Sequence, residues 1–386
     1  MKFQLLEPLR GLAAVWVLLF HYEFSDSFQT AAPGLHAFCK LGELAVPMFF
    51  VISGYCIAAS ARSAIKKDEP AIRFLVRRLR RIFPPYWASI AVVAALPFVI
   101  ELIASLKSGH FVAPSAENLN YGFLKYDIVD WFQVTTLTRV FAVVPGAEKL
   151  HFKFTTINAV YWSLAIELQF YFVAAFGVLL KRHFYPFIVA VTAVSIPCSL
   201  HAHADIWGIC IPFWPMFAVG IALFWLLENG YALSHSFRQA APTIATLVLS
   251  SLAIAGVFAI RAGVPSSHFG FALVFGIAAY FAEGLDARFG RILESGSPVV
   301  RRCSQGLMLL GTMSYSIYLV HGRVQFLAMQ FVRQVVAIDT ILFDVVSLGA
   351  TLALCYPFYR FCEKPFISTA AIKPVLKTEP VAAAVS

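Results

Sequence analysis

Residues 5–24 read LLEPLRGLAAVWVLLFHYEF. The run is apolar enough for a membrane-embedded helix, and Arg10 and His21 interrupt it. They are eleven residues apart, and at about 100° per residue eleven steps return to within roughly 20° of the starting direction. Both side chains therefore lie on one helix face, roughly 16 Å apart along the axis. Each costs about 2.5 kcal/mol or more in a bilayer unless it meets a polar interior. The stripe is expected to line a polar cavity. A snorkelling Arg10 with an interfacial His21 gives the same pattern. A signal peptide is a further alternative, since Lys2 and Arg10 flank the short apolar run 12–20. Against it, no small-residue cleavage pattern follows promptly and more apolar segments come later.

Composition points the same way. The 386 residues are 60% hydrophobic and 13% charged, with a mean hydropathy of +0.76. A soluble domain carries about 25% charged residues. The expected fold is all-α: a polytopic membrane bundle. The net charge of +9 does not indicate nucleic acid, because the basic residues cluster between apolar spans. The seven cysteines form no C-x-x-C pair, so neither a zinc site nor a disulfide framework is indicated. His201 and His203 have no further ligands nearby, and no metal is expected.

Ten apolar segments approach the roughly 20 residues needed to cross a bilayer. They fall at 5–24, 44–61, 82–106, 161–180, 184–200, 206–227, 242–260, 268–281, 306–331 and 340–361. The eighth is short; the ninth is long, with a possible end near His321. With the N-terminus inside, 21 of the 30 Lys and Arg fall on the inner side, which favours cytoplasmic N- and C-termini. The long connection 107–160 is then outside. Its aromatic residues, Trp131 among them, suit either a sugar acceptor or an interfacial hairpin. Residues 1–365 are expected to form a single transmembrane domain, and 366–386 a short disordered cytoplasmic tail.

Several polar groups lie in or against these segments. Ser53-Gly54 sits mid-span, where glycine permits close helix approach and serine bonds a carbonyl or a ligand. Arg77, Arg78, Arg80 and Arg81 precede Pro84-Pro85; guanidinium forks suit phosphates, with an anionic lipid headgroup as the competing ligand. Glu167 lies about 1.5 turns inside the fourth span. An intramembrane carboxylate is a functional candidate, or a structural partner for an arginine or a Trp N–H. Ser314, Tyr318 and His321 share one helix face. Glu363 reads as a structural cap.

Taken together, these residues give the chain a recognisable pattern. Arg10 and His21 at R-x10-H spacing, the run Phe49–Tyr55, the arginine cluster before Pro84, Trp162–Tyr171 (WSLAIELQFY), Ser314–His321 (SYSIYLVH) and Glu363-Lys364-Pro365 occur in this order. The chain resembles acyltransferase family 3, the bacterial integral-membrane O-acyltransferases, over nearly its whole length. The resemblance implies transfer of an acyl group, most commonly acetyl, from cytosolic acyl-CoA to a hydroxyl of a surface or exported carbohydrate or its lipid-linked precursor. It implies location in the bacterial inner membrane, and the stand-alone type without an extra extracytoplasmic domain. On this reading His21, Glu167 and Arg10 are catalytic. Arg10, Arg77, Arg80, Arg81 and Ser53 bind acyl-CoA, and Trp162, Ser314, Tyr318, His321 and Trp131 bind the acceptor. Imidazole, with a pKa of about 6.5, suits general-base work on the acceptor hydroxyl. Glu167 is expected either to orient or charge-stabilise His21 or to bind the acceptor. Direct attack and a covalent acyl-histidine both fit. The rival class is a transporter or flippase for a carbohydrate or lipid-linked intermediate.

Overall fold

The computed structural model describes residues 3–110, 119–144, 149–199, 207–229 and 267–367. The described residues are mostly helical, with no strand among them. The α-helices are α1 (Leu6–His21), α2 (Asp26–Ala31), α3 (Pro33–Cys39), α4 (Ala45–Lys66), α5 (Ala71–Ser108), α6 (Ile128–Thr135), α7 (Tyr161–Leu179), α8 (Phe184–Ser199), α9 (Trp214–Glu228), α10 (Ser267–Ser295), α11 (Pro298–Thr312), α12 (Ser314–Val332) and α13 (Ile341–Phe358). Six helical stretches among them are long and apolar enough to cross a membrane: Pro33–Lys66, Ala71–Leu106, Tyr161–Leu179, Ile211–Glu228, His268–Asp286 and Ile341–Phe366. The expected seventh segment, 242–260, and residues 368–386 of the expected tail lie outside the described residues.

The differences from the segment reading have local causes. α1 has 16 residues and ends at His21, because Tyr22 turns to extended backbone at ψ 132°. The chain then folds back along α1. The Trp16 indole N–H donates to the Phe38 carbonyl at 2.9 Å, and the two rings stack 4.9 Å apart. The ninth segment is two helices, and its break falls at Met313 rather than near His321; α12 runs on to Val332. Glu363 fixes that break. Its Oε2 accepts from the Ser316 backbone N–H at 3.0 Å and from Ser316 Oγ at 2.5 Å. A carboxylate thereby satisfies an N–H in the first turn of α12, where the helix dipole favours negative charge. The expected cap is thus made across the bundle. α5 is one continuous helix that includes both the arginine cluster and the apolar segment after it, despite Pro84, Pro85 and Pro97.

Small residues set the helix spacings. A Cβ added at Gly54 on α4 would collide with the Phe217 carbonyl on α9, and one at Gly220 on α9 with the Val51 carbonyl on α4. Gly11 on α1 meets Gly311 on α11 in the same way. Backbones can approach this closely only where side chains are absent. The connection 107–160 docks on this bundle through its described parts. Tyr86 and Trp87 of α5 donate to the Val134 and Thr135 carbonyls at 2.6 and 2.9 Å. Arg139 reaches Asp130 at 2.5 Å and lies 4.6 Å over the Tyr126 ring.

The crossing of α4 and α9 yields a stability prediction. Gly220→Leu is expected to destabilise the purified protein by about 1–3 kcal/mol, as overpacking does. Gly306→Ala, where an added Cβ meets nothing within 4 Å, should leave stability unchanged. Thermal unfolding in detergent checks both; a Gly220→Leu protein as stable as the parent would mean the two backbones do not meet there.

Candidate functional site

Five helices, α1, α4, α5, α7 and α12, enclose a cavity of about 90 Å³. Arg10, Arg78 and Arg81 line it, and Glu167 faces them. The helical period explains the choice of arginines. Arg78 and Arg81 are three residues apart and share the inward face of α5. Arg77 and Arg80 are exposed on the opposite side, and Arg77 pairs with Glu69.

The cavity carries its guanidinium groups at one end and hydroxyl groups at the other. Cys56 marks the first end: Arg10 Nη2 lies 3.5 Å from its sulfur, and Arg78 Nη2 donates to its carbonyl at 3.1 Å. Arg10 also stands 3.7 Å from Glu7. Arg81 makes no hydrogen bond or ion pair with another described residue. Glu167 occupies the middle. Its Oε1 accepts from Ser53 Oγ at 2.5 Å and from the Tyr171 hydroxyl at 2.7 Å, while its other oxygen takes neither bond. Val46, Ser163 and Tyr318 mark the far end, with the Tyr318 hydroxyl oxygen 2.6 Å from Ser163 Oγ. Val46 and Cys56 are ten residues apart on α4, so the cavity extends along roughly 15 Å of that helix. Three guanidinia against one lining carboxylate leave an excess of positive charge, which suits an anion.

His21 is not in this cavity, and Glu167 does not contact it. His21 stands at the C-terminal end of α1, exposed, with Nδ1 2.9 Å from the Val17 carbonyl and 3.3 Å from Nε2 of His321. A carbonyl oxygen only accepts, so Nδ1 carries the proton and Nε2 holds the lone pair. His21 is thereby set in the tautomer a general base needs at Nε2. The link back to the cavity runs along α12: Tyr318 lines it, and the Tyr318 and His321 ring centroids are 6.3 Å apart.

Of the residues singled out in the sequence, Arg10, Ser53, Arg81, Glu167, Ser314 and Tyr318 meet around the cavity. Arg77, Arg80, His21, His321, Trp162 and Trp131 do not line it. Trp162 packs on Phe213, at 5.5 Å between centroids, and Trp131 on Tyr126, at 5.6 Å. Arg78 and Tyr171 also line the cavity. Arg78 was legible as the i−3 partner of Arg81, and Tyr171 as the i+4 neighbour of Glu167. Among the described residues no group of three or more His, Cys, Asp or Glu side chains is placed to hold a metal.

A family model described as an acyltransferase domain matches residues 5–360. The chain belongs to acyltransferase family 3. Among curated relatives of this acyltransferase family 3 protein, an O-acetyl transferase of Shigella phage Sf6 is 28% identical over 56% of this chain and 59% of its own. The peptidoglycan O-acetyltransferase OatA of Listeria monocytogenes is 28% identical over 44% of this chain and 23% of its own. The putative membrane-bound transacylase BcsY of Komagataeibacter xylinus is 26% identical over 82% of this chain and 71% of its own. The chain thus spans less than two thirds of the length of the first two. No solved structure matches it.

The bonding of Glu167 predicts an asymmetry between two substitutions. Glu167→Leu leaves the Ser53 and Tyr171 hydroxyls without their acceptor and should cost about 1–3 kcal/mol for each group left unsatisfied. Glu167→Gln keeps an accepting oxygen and should cost much less. Thermal unfolding in detergent separates the two, and equal losses would refute the bonding pattern.

Proposed function

We propose that this family member is a membrane O-acyltransferase that moves an acyl group, acetyl in the simplest case, from cytosolic acyl-CoA to a hydroxyl of an extracytoplasmic or membrane-linked carbohydrate. The observation that carries the reading is the pairing of an arginine-rich cavity with a histidine, Nε2 unprotonated, on the same helix stripe. A transport path needs no such base. The names of the phage, Listeria and Komagataeibacter relatives support acyl transfer. The peptidoglycan in one of them supports a carbohydrate acceptor.

On this proposal the anionic part of the donor lies at the end marked by Arg10, Arg78 and Arg81. Its acyl-pantetheine arm passes Glu167 and Tyr318 and brings the thioester to His21. His21 Nε2 takes the proton of the acceptor hydroxyl as the oxygen attacks the thioester carbonyl. The C–S bond breaks, and the departing thiolate takes the proton back from the imidazolium, which leaves an ester and free CoA. A covalent acyl-histidine would instead need Nε2 to attack the carbonyl itself. Glu167, bonded to Ser53 and Tyr171, serves the arginine end as counter-charge rather than His21 as orienting partner. The proposed setting is the bacterial inner membrane with both termini cytoplasmic, in one domain over residues 1–365 with a short tail at 366–386.

The experiment separates binding from chemistry. Arg78→Gln and Arg81→Gln should each weaken acyl-CoA binding about ten- to a hundredfold, the equivalent of one charge-assisted contact. Arg77→Gln and Arg80→Gln should not. His21→Ala should abolish transfer while acyl-CoA still binds, because the base acts only in the chemical step. Substantial transfer by His21→Ala, or equal losses for all four arginines, would overturn the assignment. No consumption of acyl-CoA by purified protein supplied with acceptor would favour a transporter. A reporter fused after Lys181 should read as cytoplasmic and one at Lys149 as exported; the reverse pattern would invert the proposed direction.

A further inference from the structure

His321 is 2% exposed, three hundred residues from His21 in the chain, and within 3.3 Å of it in the fold. Its Nδ1 lies 3.0 Å from the Ile317 carbonyl and 3.0 Å from the Tyr318 carbonyl. Two acceptors at one nitrogen require that nitrogen to be the donor, so Nδ1 is protonated and Nε2 carries the lone pair. That lone pair faces Nδ1 of His21, which is itself protonated because Val17 O also faces it. The opposite assignment, with a proton on His321 Nε2 pointing at His21, would set the lone pair of His21 Nδ1 against the Val17 carbonyl. Both nitrogens of His321 are thus occupied inside the protein, and neither is left for an acceptor sugar.

From this geometry we propose that His321 is the positioning residue of His21. It is a neutral imidazole that shares the Nδ1–H of His21 with the Val17 carbonyl, holds the ring in place, and so helps to keep Nε2 as the base. The inference rests on the reading of His21 as the base and names the group behind it. His321 takes no proton in the cycle. It accepts the same hydrogen bond when His21 is neutral and more strongly when His21 is an imidazolium, which stabilises the charged state formed during transfer. A second neutral imidazole replaces the carboxylate often found behind a catalytic histidine. In an apolar bundle that choice avoids burying a further unpaired anion. The seat is rigid. Its two anchoring carbonyls belong to the first turns of α12, whose N-terminus Glu363 caps. Gln325, one turn further on α12, donates to the carbonyl of His21 itself at 3.4 Å.

Two amide substitutions divide the roles of the two nitrogens. In His321→Asn the amide N–H₂ reproduces Nδ1 and its bonds to Ile317 and Tyr318, but nothing reaches His21. In His321→Gln the longer amide presents an oxygen where Nε2 stood. Purified proteins that bind acyl-CoA equally are compared for transfer to the acceptor, with His21→Ala measured alongside. The expected result is a kcat about tenfold or more lower in His321→Asn with KM unchanged, since a base that has lost one of the two acceptors steadying its ring and its imidazolium forfeits part of a 10²–10⁴-fold contribution. His321→Gln should stay within about threefold of the parent in kcat. Parental kcat in His321→Asn, equal losses in Asn and Gln, or a change confined to KM would overturn the proposal while His21 keeps its role. Full transfer by His21→Ala would instead bring down the base assignment, and this inference with it.

Discussion

Half-buried guanidinium groups in an apolar bundle constrain everything around them. Arg10, Arg78 and Arg81 come from two different helices and converge on one cavity, where the lining supplies only Glu167 in return. Desolvated charge of one sign is costly unless something of the other sign completes it. Glu167 is therefore held by two hydroxyl donors, Cys56 offers its sulfur and its carbonyl to two of the arginines, and Glu7 stands near Arg10. What remains is a surplus of positive charge that suits an anionic ligand. The close crossings at Gly11–Gly311 and Gly54–Gly220 seat α1 and α4, two of the helices that line the cavity, against α11 and α9.

On the proposed function, the chemistry is displaced from this charge. His21 lies about three turns from Arg10 on the same helix, so the proposed base and the proposed anion site would be joined by covalent geometry rather than contact. α12 supplies the second connection: one face of it carries Ser314 and Tyr318 in the cavity lining and His321 against His21. A donor molecule that runs from the guanidinia to the imidazole would follow that face. The cytosolic acyl group and the extracytoplasmic hydroxyl would then meet without either reactant crossing the membrane as a whole.

Much of this was legible in the sequence, and the reasons are physical. A period near 3.6 puts Arg10 and His21 on one stripe and Ser314, Tyr318 and His321 on another. Burial cost marks Glu167 for attention wherever its partner lies. The same period, applied within the arginine cluster, separates Arg78 and Arg81 from Arg77 and Arg80 once one inward residue is known; counting the arginines together hid that division. Long-range pairing was not legible. Nothing local says that Glu167 meets Ser53 rather than His21, or that His321 faces His21 across three hundred residues. The break at Met313 was equally hidden, because the carboxylate that caps α12 comes from Glu363, on the far side of α13. The apolar pattern over 306–331 could not disclose it.

The claim at the centre of this account is that one molecule of acyl-CoA spans the arginine cavity and His21. A cryo-electron microscopy structure of the protein in lipid nanodiscs, bound to a non-hydrolysable acyl-CoA analogue, tests it most directly. The account predicts phosphate density within hydrogen-bond distance of Arg78 or Arg81, the pantetheine arm along the Ser314–Tyr318–His321 face, and the acyl carbon beside Nε2 of His21. Ligand density elsewhere, or an acyl carbon remote from His21 with the arginines still empty, would contradict it.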